Sequence, residues 1–165
     1  MAVVKLSLDD FFEDEAFTVI AIHCVIEPYR IAYLLNSKLE ISLKRTKRDV
    51  VQSDLNTNYG LFKFEDELKD DTYYLVSNVC KTPPRLKLKP NAKLDLFSNI
   101  TPTNDTVNYL IPELKKVTHF FKIDTEFTTT KTQLIINKIL EIPQVITAYN
   151  VDLSTLKSKN NLIFN

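Results

Sequence analysis

Two cysteines and two histidines are the residues best suited to nucleophilic chemistry in this sequence. They are Cys24, Cys80, His23 and His119. His23 and Cys24 are adjacent, so on a strand their side chains point to opposite faces and cannot pair as nucleophile and base. Cys24 can form such a pair with His119 if their strands are neighbours. In the simpler interpretation, Cys24 is a small apolar residue of the core.

A metal site is the second chemistry that these residue types allow. His119, His23 and Glu113 carry the imidazole and carboxylate groups that bind zinc in proteins. The two histidines are far apart in sequence and show none of the usual ligand spacings. The sequence therefore predicts no metal and no other cofactor.

The single glycine, Gly60, excludes several enzyme classes. Phosphate-binding loops and dinucleotide fingerprints need several glycines, because their backbone must approach phosphate closely. The nucleophile elbow of α/β-hydrolases needs two glycines around its serine. None of these motifs fits this sequence.

A polar cluster falls where the first predicted strand meets the first predicted helix. Glu27, Tyr29 and Arg30 lie there, and ligands often bind beyond strand ends in open α/β sheets. Together with Glu113 and His119 they form a candidate ligand or partner cluster. In the alternative interpretation, Glu27 to Arg30 satisfy backbone groups at the helix start, and Glu113 accepts backbone N–H bonds in a turn.

A compact basic cluster follows, made of Lys44, Arg45, Lys47 and Arg48. A second basic segment, Arg85 to Lys93, lies within residues 81–105, a stretch rich in proline and lysine that is typical of a long loop. Neither segment contains aromatic residues, so any nucleic-acid contact would be to phosphate and without sequence choice. The alternative for the first cluster is a solvated strand end.

The apolar pattern predicts the elements that position these residues. Phe17–Ile26 is apolar on both alternating faces, which indicates a strand covered on both sides. A helix begins at Pro28, since a proline removes no hydrogen bond in the first turn, and a strand follows over Glu40–Lys44. Further strands are predicted at 3–8, 59–65, 72–79, 106–111, 117–123 and 145–151, and a polar loop at 50–58. A second helix is predicted to begin with Thr130 as its N-cap and Gln133 as the capping-box partner. The apolar residues 162–164 at the end of the chain are predicted to dock back onto the domain.

These elements predict one α+β domain over residues 1–165. A mostly antiparallel sheet of about six or seven strands carries two principal helices, and a βαβ-like unit stands at each end of the chain. The plan is that of an elaborated ferredoxin-like fold.

The segment Tyr109–Val117, which contains Ile111-Pro112-Glu113, resembles the signature of the IPExxxDY family of uncharacterised bacterial proteins, found mainly among Bacteroidetes. Segments 5–11, 29–36 and 156–164 are also similar to that family, so the resemblance spans nearly the whole chain. Thr118-His119 stands where the family has its Asp-Tyr pair. The resemblance implies a bacterial origin, and the family has no activity to transfer.

The net charge, the apolar runs and the first ten residues together predict the cellular location of the protein. The formal net charge is zero, so no global field attracts nucleic acid or an acidic membrane. No apolar run approaches the roughly 20 residues that span a bilayer. The first ten residues lack the order of a signal peptide, so the cysteines are expected to be reduced and the protein cytoplasmic.

Three functions remain open on these grounds. The first is a non-enzymatic protein-interaction or regulatory module, with a protein partner or as a homodimer, because the chain has ample strand edges and no convergent catalytic set. The second is a nucleic-acid-associated protein that contacts phosphates through the lysine and arginine clusters. The third is an enzyme using Cys24 or His119.

Overall fold

The computed structural model describes residues 17–52, 57–82 and 106–164. Within them, the strands are β1 (Thr18–Cys24), β2 (Lys44–Arg45), β3 (Val50–Gln52), β4 (Thr57–Tyr59), β5 (Leu61–Asp66), β6 (Asp71–Ser77), β7 (Val79–Thr82), β8 (Thr106–Tyr109), β9 (His119–Ile123) and β10 (Val145–Asn150), and the helices are α1 (Pro28–Leu39) and α2 (Thr129–Leu140). The predicted strand at 3–8 and residues 83–105 of the predicted loop lie outside the described residues.

The main sheet has six strands in the order β10-β1-β9-β6-β5-β2, and every neighbouring pair is antiparallel. Two small sheets, β3–β4 and β7–β8, accompany it. The predicted α+β class, with its six-stranded antiparallel sheet and two helices, is confirmed. Strand β1 lies between β9 and β10, the two strands that α2 connects, and three strands (β9, β6 and β5) lie between β1 and β2. The order β10-β1-β9-β6 is the split arrangement of a ferredoxin-like plan.

Strand β1 is covered on both faces, as its apolar pattern predicts. Ile20, Ile22 and Cys24 pack in the cluster that includes the buried residues of both helices. Val19 and Ala21 pack on the opposite face, against the cluster that includes the C-terminal tail. The strand ends at Cys24, and Val25, which the pattern assigned to it, is 76% exposed.

The predicted strand over Glu40–Lys44 is wrong for most of its length. Glu40 adopts φ 56°, the left-handed conformation that ends α1. Asn36 then holds the chain against the helix, because its amide accepts from Leu43 N at 2.7 Å and donates to Leu43 O at 3.1 Å. Residues 41–43 therefore do not join the sheet, and only Lys44 and Arg45 do so.

Two other local predictions need correction. The polar stretch 50–58 contains β3 and most of β4, which form a hairpin, and Tyr59 at the end of β4 is fully buried. Helix α2 begins at Thr129, with Thr128 as its N-cap in place of Thr130, because Thr128 Oγ1 accepts from Lys131 N at 3.4 Å. The predicted strands at 59–65 and 72–79 correspond in the main to β5 and β6, which pair as a hairpin. The predicted docking of the tail is confirmed by the buried Leu162.

A buried lysine fastens the tail to the sheet face opposite the helices. Lys122 is 2% exposed, and its Nζ lies 2.6 Å from Asp124 Oδ1. Three aromatic rings surround the ammonium group, with centroids at 4.6 Å for Phe17 and 5.2 Å for both Tyr74 and Phe164. The carboxylate and the ring faces together replace the water that this charge loses on burial.

We predict a large effect for one change at this ion pair and a small effect for another. Asp124→Asn leaves the buried ammonium without its counter-charge and should lower the free energy of unfolding by about 2 kcal/mol, less than for a fully buried pair because Asp124 is partly exposed. Lys122→Met keeps the volume, removes the buried charge and should change stability by less than about 1 kcal/mol. Urea unfolding measures both, and an equal loss in the two variants would contradict this account.

Candidate functional site

The thiol–imidazole pair that the sequence suggested is assembled at one end of the sheet. Cys24 is the last residue of β1 and His119 the first of β9, and these strands are neighbours. Cys24 Sγ lies 3.5 Å from His119 Nδ1, and both residues are 4% exposed.

Thr118 lies against the imidazole ring. Its hydroxyl is 3.0 Å from Ile22 O and 3.1 Å from His119 Nδ1. Nδ1 therefore faces the Thr118 hydroxyl and the Cys24 thiol, and Nε2 points away from both. That nitrogen is buried and has no hydrogen-bond partner within the described residues.

The electrostatics of this pair do not favour an activated nucleophile. Burial lowers the pKa of His119 from 6.5 to about 4, so the ring is neutral at pH 7. A cysteine thiolate needs a nearby positive charge for stabilisation, and a neutral imidazole supplies none. The contact of Cys24 with His119 is that of two packed, hydrogen-bonded strand ends. It gives no support to the enzyme hypothesis.

Ser77 and Gly60 follow His119 across the sheet, Ser77 at the end of β6 and Gly60 directly before β5. Ser77 pairs with His119 between β6 and β9, and Ser77 N donates to Gly60 O at 3.1 Å. The Ser77 hydroxyl is buried without a partner in the described residues. Ser77 could not be identified from the sequence, because a serine at a strand end carries no signal until the strand order is known.

Arg45 is the residue of the basic cluster that lies next to Gly60. Its guanidinium forms an ion pair with Asp49, donates to Leu61 O at 3.1 Å and lies 5.6 Å from the centroid of the Phe62 ring. Lys47 and Arg48 are exposed beside it, whereas the exposed Lys44 precedes it on β2 and points to the opposite face of the sheet. Arg45, Lys47 and Arg48 line a shallow surface depression with Asp49.

Glu27, Tyr29 and Arg30, the cluster at the start of α1, are exposed to solvent. Glu27 is the N-cap residue without a side-chain capping bond, and its carboxylate lies 3.7 Å from the Arg30 guanidinium. Both side chains are more than half exposed, so water screens the pair. Tyr29 is 64% exposed and adds apolar surface beside them.

Glu113 holds the C-terminal tail. Its carboxylate accepts from Lys157 N, Ser158 N and Ser158 Oγ, each at 3.1 Å. Desolvation acts to raise the pKa of Glu113, but these hydrogen bonds outweigh it and lower the pKa. The residue therefore acts apart from His119, whose contacts are with Cys24 and Thr118.

No group of three or more potential metal ligands occurs in the described parts of the chain. Nor does any helix there have the length and apolar character needed to cross a membrane.

The two edges of the main sheet differ sharply. The β2 edge is two residues long, and both are charged, which discourages further pairing. The β10 edge has six residues, Val145-Ile146-Thr147-Ala148-Tyr149-Asn150, with no charge and no proline. Ile146 is 60% exposed and Tyr149 is 41% exposed. Among the described strands, none pairs with the outer side of β10.

Comparisons of the chain with protein-family models, with curated proteins and with solved structures found no match.

We predict that His119 makes the protein sensitive to mild acid. The lowered pKa means that the unfolded chain binds a proton below pH 6.5 that the folded chain binds only near pH 4. Stability is therefore full above pH 6.5 and falls towards pH 4, by about 3 kcal/mol in total. Urea unfolding at pH 7 and pH 4.5 measures the loss.

The matched variants for this test are His119→Gln and His23→Gln. The first should remove most of the difference between the two pH values, and the second should retain it. An unchanged pH dependence in His119→Gln would show that other groups cause the acid sensitivity.

Proposed function

We propose that the protein is a non-enzymatic interaction module whose main sheet extends through β10 into a second copy of the chain. The observation that carries this proposal is the unguarded β10 edge. A strand edge presents a row of N–H and C=O groups, and proteins usually protect such edges with charges, proline or short length. Strand β2 has two of these protections, whereas β10 carries only a bulge at its start, where Cys24 pairs with Val145 and His23 pairs with Thr147.

The hydrogen bonds of β10 fix which groups face outwards. Val151 N donates to Val19 O of β1 at 2.9 Å. Because donors alternate along an antiparallel strand, the N–H groups of Tyr149 and Thr147 also point to β1. The N–H and C=O groups of Ala148 and Asn150 therefore point to the free edge.

This alternation restricts the two-fold registers that β10 can adopt with a second copy. Two outward-facing residues must lie opposite each other in an antiparallel bonded pair. A register centred on Ala148 meets this condition and places Thr147 of one copy opposite Tyr149 of the other, an aromatic–β-branched pair that stabilises sheets. Since a two-fold contact uses the same surface twice, β10 can serve both copies.

The charge distribution of the chain supports a second copy as the partner that pairs with the β10 edge. A strand that pairs with itself suffers whenever like charges lie opposite each other, and β10 has none. The zero net charge of the chain adds no long-range repulsion between copies. The neutral, buried His119 and the tail-binding Glu113 support a non-enzymatic role.

Sedimentation of matched lysine variants tests this proposal. Ile146→Lys places a charge on the β10 edge, whereas Leu134→Lys does so on α2 at a residue of nearly equal exposure, 59% against 60%. We expect a concentration-dependent dimer for the unmodified chain and for Leu134→Lys. Ile146→Lys should weaken dimerisation about tenfold or more.

Three outcomes would overturn the proposal. They are a monomer at every concentration, equal weakening by both lysine variants, and no weakening by Ile146→Lys. A complex of another size that persists in Ile146→Lys would assign association to a different surface.

We also propose that the chain belongs to the IPExxxDY family, that it is of bacterial origin and that it is cytoplasmic. The resemblance of residues 109–117 supports the first two claims, and the composition supports the third. The nucleic-acid hypothesis stays a prediction from the basic cluster, and the ion pair of Arg45 with Asp49 already neutralises one of its charges.

A further inference from the structure

Gly60 lies between a buried hydroxyl and a cation. A Cβ atom built at Gly60 would lie 3.6 Å from Arg45 Nη2 and 3.8 Å from Ser77 Oγ, both ordinary contact distances. The backbone of Gly60 does not have the positive φ that would require glycine. We call the position of the missing side chain the Gly60 notch, and it has room for one atom in contact with both polar groups.

Ser77 supplies an unsatisfied donor to this notch. It is 7% exposed, and its Oγ has no hydrogen-bond partner among the described residues. Leaving a buried hydroxyl without a partner is unfavourable, and buried polar atoms in proteins usually have protein, water or ligand partners. A ligand oxygen placed beside Ser77 would supply such a partner.

Arg45 supplies a second donor. Its Nη1 donates to Thr46 O at 3.4 Å and to Leu61 O at 3.1 Å, and its Nη2 pairs with Asp49. A guanidinium group has five N–H donors, two of them on Nη2. One Nη2 hydrogen remains after the bond to Asp49, and Nη2 is the atom nearest to the Gly60 notch.

The surroundings favour an anion as the acceptor. Lys47 and Arg48 are exposed in the same surface depression as Arg45, and these three cations outnumber the single carboxylate of Asp49. A cation together with a hydroxyl donor suits a carboxylate or phosphate oxygen, which accepts several hydrogen bonds at once.

We propose that the notch formed by Arg45, Gly60 and Ser77 is a binding site for one oxygen of a small oxyanion, a phosphate or a carboxylate. The oxygen accepts from Arg45 Nη2 and from Ser77 Oγ, and the missing Gly60 side chain gives it room. Asp49 remains bound to the other Nη2 hydrogen. This site lies at the β5–β2 side of the sheet and is independent of pairing at the opposite β10 edge.

Nuclear magnetic resonance of the full chain tests this site. Inorganic phosphate and acetate are titrated separately at constant ionic strength, with the backbone amides of Gly60 and Ser77 as reporters. His119 lies beside Ser77, so its ring signal should shift, while that of His23 should not. We expect saturable shifts with at least one anion, and the tighter of the two identifies the class of ligand.

Gly60→Ala is the decisive variant. Its methyl group meets its neighbours at ordinary contact distances, so the fold should be kept while the notch is filled. We expect binding to weaken about tenfold or more. Ser77→Ala, which removes the hydroxyl donor without adding volume, should also weaken binding. Arg48→Ala is the matched control, because it removes one exposed charge of the same cluster and should change affinity less than about threefold.

Several results would overturn the proposal. They are shifts that do not saturate with either anion, wild-type affinity in Gly60→Ala, and an equal loss in Gly60→Ala and Arg48→Ala. A high-resolution crystal structure grown with phosphate that shows only water at Ser77 Oγ would also overturn it. Thermal unfolding of each variant confirms that it is folded.

Discussion

The buried ammonium of Lys122 constrains one whole face of the molecule. A charge on a central strand can be buried only if the chain supplies a carboxylate and polarisable surface around it. Asp124 supplies the first, and rings from two remote parts of the chain, Phe17 and Phe164, help to supply the second. The tail must therefore return to the sheet, where Glu113 and the buried Leu162 also hold it. With the tail on this face and both helices on the other, the sheet has a core on each side.

Once both faces are covered, the edges decide how the molecule meets others. The sheet ends at β2 in a pair of charged residues and at β10 in an uncharged strand. These ends differ in chemistry as well as in length. The first brings Arg45 beside Gly60 and Ser77, where an anion fits, and the second offers backbone groups to another strand. The proposed dimer and the proposed anion site therefore occupy opposite edges of the same sheet.

The sequence predicted the elements whose signals are local. Pro28 and the apolar stripe after it indicated α1, and the doubly apolar run from Phe17 indicated a covered strand. It failed where distant contacts override local pattern. The side chain of Asn36 keeps residues 41–43 out of the sheet, and no periodicity reveals that bond. The candidate site shows the same limit. The contact of Cys24 with His119 was conditional on strand order, and Ser77 had no local signal because its neighbours come from other strands. Lys122 breaks the apolar pattern of β9, and only the returning tail explains its burial.

The central claim is that β10 pairs with β10 of a second copy, and amide hydrogen exchange tests it most directly. The N–H groups of Ala148 and Asn150 face the free edge, whereas that of Val151 is already bonded to Val19. The account predicts that exchange at Ala148 and Asn150 slows as protein concentration rises, while exchange at Val151 changes little. Fast exchange at both edge amides at every concentration would contradict it. Slow exchange that does not depend on concentration would also contradict it, since another segment of the same chain would then cover the edge.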